Sequence, residues 1–323
     1  MRKHCAGALA IGLLALCTLA GAKAAPYPTK PIKIISGVGV GGTFDIFIRA
    51  LADDLTRKWG QAIVIEPRPS GNNVTATRAC AEAVPDGYTL CSLSGENFVY
   101  PEFLVKDLGV NLRTDLTPIV NLFFNPQMLV VSADLKARDL SSVVQAAKTM
   151  PKSLAYTAPG PTGRLFMEDI NRRFGLDIVN VPFRGGSDSL SNLLSGSIQF
   201  VFTGAANFAG LIEDKKVYPL VVDSETRLSA YPDVPTVRES GFSGAWVRNY
   251  LGLAGPRALP RDLVDRINAE VNSTMNDPAF RKRHLQDRGL LPANGSVKDF
   301  EDFLAVDRVD SENVVRDAHL PLQ

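Results

Sequence analysis

The chain has 323 residues, 45% hydrophobic and 21% charged, with 26 glycines and 21 prolines. That length suits two domains, and the composition excludes collagen-like, disordered and polytopic membrane proteins. The 35 basic and 34 acidic residues nearly cancel, and without residues 1–24 the balance is 32 to 34, so a nucleic-acid partner is not expected and small ligands or proteins are.

Residues 1–24 begin with Arg2, Lys3 and His4, continue uncharged through residues 6–22 and end Ala22-Lys23-Ala24. This is the pattern of a secretory signal peptide, cleaved after Ala24. Its apolar stretch of 17 residues is shorter than the roughly 20 that span a bilayer. Leu16 before Cys17 argues against a lipid anchor. The expected product is a periplasmic protein with no membrane insertion after cleavage. Two cysteines then remain, Cys80 and Cys91, either joined as a disulfide across the turn at residues 85–87 or kept as two buried thiols.

Residues 31–36 (PIKIIS) predict a strand, followed by the glycine-rich residues 37–42. The spacing of Phe44, Phe47, Ile48, Leu51 and Leu55 predicts a core-facing helix that Gly60 stops. Residues 62–65 predict a second strand, 66–73 a loop, 74–83 a helix and 88–93 a third strand, which together read as a parallel α/β unit. A similar order returns after residue 125: strand 154–157, loop APGPTG, helix 164–174, strand 178–181, loop PFRGG, helix 187–194 and strand 198–202. Residues 226–257 are turn-rich with a strand at 246–254, and helices follow at 260–275 and 297–317. This last third has no sheet of its own and is expected to complete the first unit. The expected fold is α/β with two lobes, residues 25–124 plus 226–323 and residues 125–225, between which the chain crosses twice.

Gly37-x-Gly39-x-x-Gly42 follows a strand and opens a helix, with Glu66 ending the next strand, as in a dinucleotide-binding fingerprint. Export, Asp45 in the helix's first turn and Pro67 after Glu66 argue against that reading. What survives is a helix start at Gly41, Gly42 and Thr43 whose N–H groups favour an anion such as a carboxylate. In the second unit Thr162-Gly163-Arg164 and Phe183-Arg184-Gly185 open helices, and arginine grips carboxylates bidentately. Catalytic machinery is thin. After cleavage only His284 and His319 remain, neither in metal-ligand spacing, and no G-x-S-x-G elbow occurs. No catalytic residue, metal or cofactor is expected.

YPTKPIKII, GGTFD, EPRPSGNN, PDGYTL, VPFRGG, YPDVPTVRESG and LPRDLVDRINAEV follow one another over residues 27–318. Together they resemble the Bug family of extracytoplasmic solute receptors, the binding-protein component of tripartite tricarboxylate transporters. The resemblance implies a periplasmic-binding-protein-like Venus flytrap of type II, a small carboxylated ligand in the cleft and delivery to integral-membrane transporter subunits. It carries ligand contacts onto Gly41, Gly42, Thr43, Phe44 and Asp45, with Asp45 accepting from a ligand amine, amide or water. In the second lobe it carries them onto Thr162, Gly163, Arg184, Gly185 and Thr203. Against the family pattern, Gly37 and Gly39 replace prolines, Phe44 replaces a smaller residue and Arg164 stands where histidine is common. Arg164 or Arg184 would supply a second anion grip and favour a ligand with two carboxylates, whereas Phe44 favours an apolar ligand body. The expected protein is a monomeric solute receptor and not an enzyme; the alternatives are an exported sensor of the same fold, an exported enzyme or a nucleotide-binding protein.

Overall fold

The computed structural model describes residues 27–70, 74–158, 161–181, 186–242 and 248–317. The chain starts as β1 (Ile32–Ser36), α1 (Thr43–Trp59), β2 (Ile63–Pro67), α2 (Thr75–Ala81) and β3 (Thr89–Ser94). Two short helices, α3 (Gly95–Phe98) and α4 (Pro101–Leu104), lead to the long strand β4 (Leu116–Phe124). The second unit comprises β5 (Gln127–Ser132), α5 (Leu140–Thr149), β6 (Ala155–Thr157), α6 (Pro161–Phe174), β7 (Val179–Asn180), α7 (Gly186–Leu194), β8 (Phe200–Gly204), α8 (Ala209–Glu213) and β9 (Val217–Val222). The C-terminal part is β10 (Tyr250–Pro256), α9 (Arg261–Met275), α10 (Pro278–His284), β11 (Leu291–Pro292) and α11 (Val297–Asp317).

Two sheets result, ordered β11-β4-β10-β3-β1-β2 and β7-β6-β8-β5-β9. In each, three parallel strands with helical crossovers are followed by a strand that runs antiparallel beside the third, β10 against β3 and β5 against β8. The sequence leads to an expectation of parallel pairing, which holds for these triplets only. A crossing strand arrives from the other sheet and needs no βαβ crossover, so it is free to pair antiparallel. The order 2-1-3 with such a strand inserted next is the type II arrangement, in line with the expected two-lobed α/β fold.

Strand alternation assigns the helices to faces. Ile32 and Ile34 pack with Phe47, Ile48 and Leu51 of α1 and with Val264, Ile267 and Val271 of α9. Ile35, Cys91 and Leu93 point the other way, against Ala76 of α2 and Phe300 and Leu304 of α11. Cys80 and Cys91 are joined as a disulfide with their Cα atoms 6.0 Å apart, tying α2 to β3. The second sheet is covered similarly: Leu129, Val131, Phe200 and Phe202 face α6, while Met128, Val130 and Val201 face Leu193 of α7.

The segment after β9 does not leave the second sheet at once. Thr236 bridges Val222, Val237 and Phe242 enter the core on the α6 face, and Leu228 and Val234 enter the core on the other. The chain then reaches the middle of the first sheet as β10, later than the strand expected at residues 246–254.

Candidate functional site

The start of α1 is closed on itself. Gly41 has φ +81°, a conformation that glycine adopts without a Cβ clash, and this turn aims its N–H back at the helix. The Asp45 Oδ2 atom accepts that N–H at 2.9 Å and the Arg49 Nε–H at 2.9 Å, while Arg49 Nη2 lies 2.9 Å from Oδ1. Burial pushes the Asp45 carboxyl up, but the Arg49 guanidinium and the Gly41 N–H together hold it below the ordinary carboxylate range. Asp45 is buried within this cluster, and Gly41 and Gly42 are exposed at its rim.

The main candidate cavity lies beside that turn, outside the carboxyl ends of β1 and β3, where ligands of α/β sheets bind, whereas a roomier one of about 360 Å³ lies between the start of β4 and α11, away from those strand ends. The main cavity encloses about 220 Å³. Residues 37–39 after β1 and residues 94–96 at the end of β3 form its walls, with Pro69, Phe44 and Tyr100. Both loops are anchored: Gly37 N–H donates to the Ser92 carbonyl at 3.0 Å, and the Asn97 side chain accepts from the Ser94 N–H at 3.1 Å and the Ser94 hydroxyl at 2.9 Å. The Phe44 ring packs edge-on against Phe123 at 5.3 Å and gives the cavity an apolar side. Arg248 and Asn249, just before β10, complete the lining.

Behind Arg248 and Asn249 is a second cavity of about 170 Å³ at the interlobe crossings. There Asn125 N–H donates to the Asn249 carbonyl at 2.7 Å, so the two crossing segments are hydrogen-bonded to each other. Gln127 N–H donates to Asp223 Oδ1 at 2.5 Å, and Asp223 N–H returns a bond to the Gln127 carbonyl at 3.0 Å. Burial pushes the Asp223 carboxyl up to about 8, more than these backbone donors can offset. The Arg248 guanidinium lies 5.7 Å from the ring centres of both Phe124 and Phe303 and is ion-paired with Glu225.

The chain aligns with the tripartite tricarboxylate transporter family receptor profile over residues 47–320. It belongs to that family. A Bordetella bronchiseptica protein of the UPF0065 group is 28% identical over 97% of this chain and 92% of its own length. A Cupriavidus necator UPF0065 protein is 30% identical over 86% of this chain and 84% of its own length. Among solved structures, a Rhodopseudomonas palustris protein with bound malate superposes with TM-score 0.76 at 25% identity, covering 90% of this chain and all of its own. An R. palustris protein with adipate superposes at 0.81 with 24% identity over 92% of this chain and all of its own, which shows the shared fold. The protein is a solute-binding receptor of this family, with the periplasmic-binding-protein fold.

Within this receptor, the residues the resemblance implied are only partly gathered. Phe44 lines the main cavity, whereas Asp45 turns away into its pair with Arg49. Gly163 is a packing residue: a Cβ there would lie 2.5 Å from the Phe202 ring, so the glycine lets α6 approach β8. Arg164 pairs with Glu168 at 3.0 Å on a half-exposed helix face, and Thr203 sits in β8 opposite Met128. Neither lines either cavity. The Thr162 side chain, Arg184 and Gly185 lie outside the described residues. Residues 94–96, Tyr100, Arg248 and Asn249 were not expected. The strand-end rule points to residues 37–39 and 94–96, but nothing local marks Arg248, which reaches the cavity only because β10 inserts beside β3.

Proposed function

We propose that the receptor captures a small carboxylate-bearing metabolite between its lobes and delivers it to the membrane subunits of a tripartite tricarboxylate-type transporter. The observation that carries this reading is the cavity at the carboxyl ends of β1 and β3, which combines backbone-rich loops with one guanidinium in a chain of this receptor family. The malate-bound relative supports a carboxylate as the solute class. In this reading the loops at residues 37–39 and 94–96 take one carboxylate and Phe44 contacts the ligand body, while Gly41, Gly42, Thr43 and Asp45 form the adjoining turn and do not line the cavity.

Binding is the whole activity. His284 lies against Phe280 with ring centres 4.7 Å apart, and it lines neither cavity. The mature protein starts at Ala25, works as a monomer in the periplasm and inserts in no membrane. No helix among the described residues is long and apolar enough to cross one. The lobes we propose are residues 25–124 with 243–323, and residues 125–242, because Val237 and Phe242 pack with the second sheet.

Thermal-shift screening of the mature protein against mono-, di- and tricarboxylates, amino acids and aromatic acids tests this reading. A true ligand stabilises the folded state by about 2.7 kcal/mol at ~100 times its Kd. Neutral solutes are included as controls, and a panel in which they raise the melting temperature while no carboxylate-bearing compound, amino acids included, does so would refute it.

A further inference from the structure

Arg248 is the one cation among the described residues that line the main cavity, and the same side chain also lines the crossing cavity behind it. Its position is fixed from three sides. The centres of the Phe124 and Phe303 rings each lie 5.7 Å from the guanidinium, within cation–π range. The neighbouring Asn249 carbonyl is held by Asn125, and Tyr250 starts the central strand β10. Its carboxylate partner is fixed far less firmly. Glu225 lies in the segment leaving β9, with 73% of its side chain exposed, against 39% for Arg248. An anchored guanidinium facing a cavity and held by a solvated carboxylate has the makings of an exchange site.

We propose that Arg248 is the guanidinium that takes a second ligand carboxylate, and that Glu225 is an internal competitor for it. This rests on the carboxylate-receptor reading and deepens it by assigning the anion grip to the interlobe crossing, in place of Arg164 or Arg184. Trading one carboxylate for another keeps the guanidinium paired throughout, so the exchange avoids the cost of an unpaired, partly buried charge. Arginine's planar fork suits the incoming carboxylate bidentately. Glu225 follows β9 within the second lobe, whereas Arg248 stands beside Asn249 at the crossing, so displacing Glu225 removes a tie between that lobe and the crossing.

The rival role for the pair is a latch that only braces the crossing, and the two roles differ in sign. Calorimetric titration of malate, succinate and adipate, each compared with butyrate and hexanoate, is carried out on wild type, Arg248→Gln, Arg248→Lys and Glu225→Gln. The exchange role requires Glu225→Gln to tighten diacid binding about threefold or more. It requires Arg248→Gln to weaken it by about tenfold or more, the scale of a lost charged hydrogen bond, and to weaken monoacid binding by less. Arg248→Lys, which keeps the charge and loses the fork, falls between. Melting temperatures of the same variants verify folding, and the lysine variant carries the test should the glutamine variant not fold. Diacid affinities that move in the same direction in the Glu225 and Arg248 variants, or in neither, overturn the assignment. Failure of wild type to bind any of the five acids overturns the underlying carboxylate reading, which is a separate result.

Discussion

Asp45 and Arg49 stand one turn apart on α1 and bind each other through both carboxylate oxygens, each at 2.9 Å, while the same carboxylate holds the Gly41 N–H. The residue that the resemblance would hand to the ligand is thus already engaged by the protein. Its carboxylate holds the Gly41 N–H in the turn that precedes Phe44.

Asp45→Ala is expected to destabilise the protein by about 1–3 kcal/mol, as for a buried charged hydrogen bond, and to weaken ligand binding because the loop loosens. Urea denaturation beside calorimetry checks both. The folded carboxyl lies below its ordinary range, so its stabilisation is full above the unfolded value of about 3.9 and fades as pH falls through the folded one. Lost affinity at unchanged stability would return Asp45 to direct ligand contact.

Asp223 has the opposite sign. Its folded carboxyl is pushed up to about 8 by burial, so the protein favours the protonated form and loses stability as pH rises from about 4 through 8. Asp223→Asn is expected to reduce this slope, and melting temperatures between pH 5 and 9 measure it. Asp307, pushed up to about 7 by burial despite the Tyr250 hydroxyl that donates to it, leaves a residual slope. Parallel curves for wild type and variant would contradict the assignment.

Reduction of the Cys80–Cys91 disulfide, or Cys80→Ala with Cys91→Ala, is expected to lower stability by roughly 3 kcal/mol through the loop that it closes. Ligand affinity should hold, since neither sulfur lines the cavity. Melting with and without a reductant provides the check, and identical curves would mean the bond adds nothing.

Gly163→Ala places a Cβ 2.5 Å from the Phe202 ring. Overpacking of this kind costs about 1–3 kcal/mol, readable as a shifted denaturation midpoint. A neutral effect would show that α6 can move away from β8 freely.

The parts of the fold most legible in the sequence are those that local periodicity determines. Phe47, Ile48, Leu51 and Leu55 recur at helical spacing and are all buried in α1. The crossing strands are different. Leu116–Phe124 (LTPIVNLFF) carries no alternation, because it is buried on both faces by partners far along the chain. The same holds for the site. Phe44 and the glycine loops sit where a strand meets a helix and can be read locally, whereas Arg248 meets residues 37–39 only after β10 has found its place beside β3. A resemblance transfers positions, and it carried Asp45 across without the Arg49 that occupies it.

The most direct test of the account is a crystal structure of the mature protein with the acid that raises its melting temperature most. The account requires one ligand carboxylate against the loops at residues 37–39 and 94–96, and a second, in a diacid, on the Arg248 guanidinium with Glu225 displaced. A ligand seated elsewhere, or one whose carboxylate is bound by Asp45's partner Arg49 while Arg248 keeps Glu225, would contradict it.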